Sequence, residues 1–74
     1  MKYETRITRK AIVPKDGKTI ATYGFSVEIT EDSTGEFEFV EVSMIACPEV
    51  KICIEHDQWP LLKEVIEEMI KELR

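Results

Sequence analysis

Apolar and polar residues alternate with a period of two through much of the first 54 positions, and from Trp59 onward the apolar spacing lengthens to three and four. The first period belongs to strands half-buried on one face, the second to an amphipathic helix. From Tyr3 to Val13, Tyr3, Ile7, Ala11 and Val13 share one parity, with Glu4, Arg6, Thr8 and Lys10 on the other. Pro14-Lys15-Asp16-Gly17-Lys18 fits a type I turn closed by a left-handed glycine, which sets Ala11 opposite Ala21, Ile7 opposite Phe25 and Tyr3 opposite Ile29. The second strand, Thr19 to Thr30, then turns Ala21, Tyr23, Phe25, Val27 and Ile29 inward. After the polar turn Glu31 to Gly35, Phe37 and Phe39 have one parity and Val40, Val42 and Met44 the other, so a β-bulge near Phe39-Val40 is expected. A turn at Cys47-Pro48-Glu49 pairs Met44 with Ile52 and Val42 with Ile54, and places Val50, Ile52 and Ile54 under the helix.

In that helix Trp59, Leu62, Ile66, Met69 and Leu73 form the stripe, which Val65 and Ile70 widen to roughly 140°. Asp57 stands where an N-cap is wanted, and Pro60 falls in the first turn, where its missing donor costs little. Trp59 reads as a core aromatic packed on the sheet. The expectation is one α+β domain over residues 1–74, a four-stranded antiparallel meander followed by one C-terminal helix (ββββα). Its inner face is aliphatic and aromatic. Its outer face is a low floor of Thr8, Thr22, Gly24, Ser26, Ser43 and Cys53, with charge from Arg6, Lys10 and Lys51.

Charge changes this picture. The net value is −5, yet residues 1–18 hold Lys2, Arg6, Arg9, Lys10, Lys15 and Lys18 against Glu4 and Asp16, which is +4 and leaves −9 for the rest. An acidic body with one basic edge is compatible with a localised anion-binding site and with a docking role for the acidic helix face Glu64, Glu67, Glu68 and Glu72 toward a basic protein. Two cysteines are too few for a secreted disulfide scaffold, and no leader or run of about 18 apolar residues stands out, so a reducing, cytoplasmic setting without a membrane is expected.

Little here speaks for catalysis. Cys47, Cys53 and His56 are the soft ligands, but along a strand Cys53 lies roughly 10 Å from the Cys47 turn and His56 has the opposite parity, which argues against zinc and against a Cys47–Cys53 disulfide. No glycine-rich phosphate loop, activated nucleophile or working carboxylate pair is present, so the chain is expected to be no enzyme and to need no cofactor.

The strand-to-helix passage Ile54-Glu55-His56-Asp57-Gln58-Trp59, with Leu62-Lys63-Glu64 and Ile66 beyond it, resembles the C-terminal signature of the positive-cofactor-four family of single-strand-DNA-binding transcriptional coactivators. The resemblance implies a dimeric ββββα unit that binds unpaired DNA on its sheet side. The candidate nucleic-acid contacts are Arg6, Lys10, Lys18 and Lys51. With Tyr3, Tyr23, Phe25, Phe37 and Phe39 read as pointing inward, phosphate contacts would carry the affinity, which should then be weak and salt-sensitive. Two readings stay open: a small non-enzymatic single-stranded nucleic-acid-binding accessory protein, or a protein-interaction module with no nucleic acid. A homodimer is expected in either, since a core this small supplies only about 3–5 kcal/mol alone.

Overall fold

Strand-formers dominate the middle of the chain, and the computed structural model, which describes every residue except Lys18, gathers them into one sheet. The elements are β1 (Arg9–Ile12), a one-turn helix α1 (Ile20–Tyr23), β2 (Phe25–Glu31), β3 (Glu38–Met44), β4 (Cys47–Ile54) and α2 (Trp59–Lys71). The strands pair antiparallel in the order β1-β2-β3-β4, so the expected ββββα arrangement is the one observed, with α1 as an addition.

The first hairpin departs from expectation. Its turn forms as read: the Gly17 amide donates to the Pro14 carbonyl at 3.2 Å, and Gly17 has φ 68°. The chain does not then return directly into the ladder. Thr22 and Tyr23 amides both donate to the Thr19 carbonyl and Gly24 to that of Ile20, which closes α1 where strand was expected. Gly24 makes this possible through close approach: a Cβ there would stand 2.5 Å from the Ile20 oxygen and 2.6 Å from Ile45 Cδ1. With these residues taken out of the ladder, Ala11 pairs with Ser26 and Ile12 with Phe25, a shift of five from the expected partners. The expected pairing of Pro14 with Lys18 lies outside the described residues.

An odd shift reverses one strand relative to its neighbour. Residues directly opposite share a face, so Thr8, Lys10 and Ile12, not Ile7 and Ala11, now lie on the side of Phe25, Val27 and Ile29. That apolar face continues through Val40, Val42 and Met44 to Ile52 and Ile54. The other carries Arg9, Ser26, Glu28, Phe39, Glu41, Ser43, Lys51 and Cys53. Between β3 and β4 the pairing of Val42 with Ile52 and Val40 with Ile54 is two residues from expectation, an even shift that keeps every face. The irregularity falls between Ser43 and Met44, not at Phe39-Val40, which pair regularly with Thr30 and Ile29. The turn precedes Cys47, and Pro48 to Val50 fall within β4.

Helix α2 also differs. Gln58, not Asp57, occupies the N-cap, with no side-chain cap bond, while Pro60 sits in the first turn as expected. Gln58 instead ties down the link: its Oε1 accepts from the Glu55 amide at 2.9 Å, and its own amide donates to the Glu55 carbonyl at 3.0 Å. No residue of α2 is buried, and the helix packs extensively against no strand, so Val50, Ile52 and Ile54 are not covered by it. Trp59 is 48% exposed, where a core position was expected. Eight residues of β4 span about 27 Å and thirteen of α2 about 20 Å. The molecule is 52 Å along its longest axis.

Candidate interaction surface

The polar face satisfies itself. Glu28 and Glu41 stand directly opposite, an unfavourable like-charge pair in isolation. Cations flank them on both sides: Arg9 Nε lies 3.9 Å from a Glu28 oxygen and donates to Ser26 Oγ at 3.2 Å, and Lys51 Nζ lies 3.2 Å from a Glu41 oxygen. Between them is a shallow cavity of about 140 Å³, lined also by Ser43 and Pro48. The two cations and the two carboxylates on this face cancel, and the long side chains cover Ser26 to 9% exposure.

The residues expected to meet nucleic acid are therefore separated. Lys51 lies on the polar face as expected, but engaged with Glu41. Lys10 lies on the apolar face, opposite Val27. Arg6 is at the sheet end, where both guanidinium nitrogens donate to Glu38 at 2.9 and 2.7 Å. This bidentate pair raises the Arg6 pKa and, chiefly through the hydrogen bond, holds the Glu38 carboxyl below the usual carboxylate range. Lys18 lies outside the described residues. Arg9, absent from the expected set, is the cation that joins Lys51 on one face; its parity with Ser26 becomes readable only once Gly24 is taken as a break in the strand.

Aromatic rings do reach the surface. Tyr3, Tyr23 and Phe37 are exposed, and Phe39 lies on the polar side, against the expectation that all four point inward. Phe37 and Phe39 line a cleft of about 510 Å³ between the β2–β3 turn and the β4–α2 link, in the company of Asp32, Glu38, Glu55, His56 and Asp57. Asp32 accepts from the Thr34 hydroxyl at 2.7 Å and from its amide at 3.0 Å, and the hydroxyl bond leads in holding its pKa down. A phosphate strand that stacked on these rings would approach four carboxylates. Among the described residues no three potential ligands are placed to hold a metal, and Cys47 and Cys53 are both free and exposed.

The apolar face is the unfinished one. Val27, Ile29, Val40, Val42 and Ile54 are only half-buried, and Ile12, Phe25, Met44 and Ile52 are exposed. Among the described residues no hydrophobic side chain is buried. Total accessible surface is 7054 Å², against about 4,700 Å² for a compact chain of this mass. The radius of gyration is 15.1 Å, against about 11 Å. Among the described residues no helix is long and apolar enough to cross a membrane.

The fold and this surface define a small ββββα unit with an open apolar face. No protein-family model, curated protein or solved structure matches the chain. The resemblance to the coactivator family rests on the Ile54 to Ile66 stretch alone.

Proposed function

We propose that this chain is a non-enzymatic protein-interaction module that completes its hydrophobic core by association, in the first instance as a homodimer. One observation carries the reading: a sheet face of nine apolar side chains and a helix stripe of six are both present, and neither is covered. The surface in excess of a compact chain, roughly 2,300 Å², is well above the ~800 Å² per partner of an ordinary specific interface. Contiguous exposed apolar faces mark association sites. Single-stranded nucleic acid is a poorer fit to this geometry, because Arg6 and Lys51 are occupied by carboxylates and Lys10 is on the opposite face from Lys51. Sedimentation equilibrium at micromolar concentration is the test. A dimer whose melting temperature rises with concentration is expected; a monomer with a concentration-independent melting temperature overturns the proposal.

A further inference from the structure

Resting on the homodimer just proposed, we infer that the two copies exchange helices: α2 of each docks its apolar stripe on the apolar sheet face of the other. A helix that covered its own sheet would have to turn back along β4, and α2 does not. The link Glu55–Gln58 is closed by two hydrogen bonds, no residue of α2 is buried, and the helix packs extensively against no strand of its own chain. The surfaces match in size. The uncovered face is three strand spacings wide, about 14 Å, and seven residues long, about 24 Å. A helix of 13 residues is about 20 Å long and 10–12 Å across with side chains, so one helix fills one face. Each copy has one free stripe and one free face, and two copies related by a two-fold axis satisfy both at once in a closed, symmetric pair. Chemistry agrees at the edge: Lys10, on the outermost strand of the apolar face, can lay its stem along Ile12 and its ammonium outward toward the acidic flank of an incoming helix.

Two variants discriminate. Val42→Asp puts a charge in the middle of the sheet face, and Ile66→Asp puts one in the middle of the helix stripe. Each alone is expected to sediment as a monomer at a concentration where the wild type is dimeric. Mixed in equal amounts they should recover a dimer, because the sound helix of the first docks on the sound sheet of the second; if each helix covers its own sheet, both interfaces stay broken and mixing restores nothing. A second measurement needs no variant. In dimers assembled from isotope-labelled and unlabelled wild-type copies, isotope-filtered NMR should give contacts from Ile66 and Met69 of one copy to Val27 and Val42 of the other. A wild-type dimer in which those contacts are only within a chain overturns the exchange and leaves the homodimer standing; a wild-type monomer overturns both.

Discussion

The two faces of the sheet are built on the same backbone and end in opposite conditions. On one, Ser26 is 9% exposed beneath Arg9, Glu28 and their neighbours; on the other, no valine or isoleucine reaches that degree of burial. The usual order of burial is inverted, since serine is ordinarily exposed and valine and isoleucine are ordinarily inside. The difference lies in how each kind of side chain is satisfied. Charged and polar groups can be satisfied in pairs within one sheet, whereas apolar groups need a second layer. The polar face is complete in a single chain and the apolar face is not, so neighbouring positions on one strand should answer very differently to substitution.

Val42 and Ser43 are such neighbours. Val42→Asp leaves an unpaired charge inside the assembled core, with an expected loss of about 3–5 kcal/mol, or at least 100-fold in dimer dissociation constant by sedimentation. Ser43→Asp, opposite Lys51 on the other face, should change it by less than about threefold. Equal effects would mean that the two faces are alike in solution. Trp59→Ala is expected to cost a similar 3–5 kcal/mol of the associated state by denaturant unfolding, as for an aromatic truncated in a core. Trp59 fluorescence should shift to the red as the wild-type protein is diluted through dissociation, because the residue is 48% exposed in the single chain.

What could be read in the sequence follows the same division. Phe25, Val27 and Ile29 were placed correctly because alternation over several residues resists local accidents, and the face of Lys51 survived because its hairpin slipped by an even number. One glycine turns Lys10 to the face opposite the expected one, while Arg6 lies before β1, at the sheet end. Gly24 reads in sequence as a small residue in a strand, but an isolated glycine there also signals close backbone approach, and here it closes a helical turn that moves the register by five. The helix stripe was legible; its direction was not. The link before the helix is closed by two hydrogen bonds between Glu55 and Gln58, which carry no periodic signature.

Smaller effects sharpen the comparison. Gly24→Ala should destabilise by about 1–3 kcal/mol, because the new methyl meets backbone at Ile20 and cannot move it aside. Gly17→Ala, with φ 68° and open space, should lose only the roughly 1–2 kcal/mol of a left-handed backbone. A thermal melt of each variant separates contact from conformation; the reverse order would place the break elsewhere than at α1. On the polar face, Lys51→Ala removes the 3.2 Å pair with Glu41 and should cost no more than about 1 kcal/mol, an amount that fades at high salt.

The smallest expected effect concerns pH, and it isolates the one ion pair that lies at the sheet end and not on the polar face. Glu38 accepts two hydrogen bonds from Arg6, which hold its pKa below that of the unfolded chain. A group so depressed binds fewer protons folded than unfolded, so its contribution is present in full above the ordinary carboxylate range and is lost as pH falls through the folded value. Asp32, held down chiefly by the Thr34 hydroxyl, has the same sign. Both groups are exposed, so each slope is shallow. Arg6→Gln should flatten the acid limb of a melting-temperature profile between pH 7 and pH 3, and Thr34→Ala should flatten it independently, because the two pairs share no partner. Neither substitution should alter the concentration dependence of melting at pH 7, which belongs to the apolar face. If Arg6→Gln weakens association instead, the sheet end is part of the interface, and the line between a finished and an unfinished face has to be drawn through Glu38.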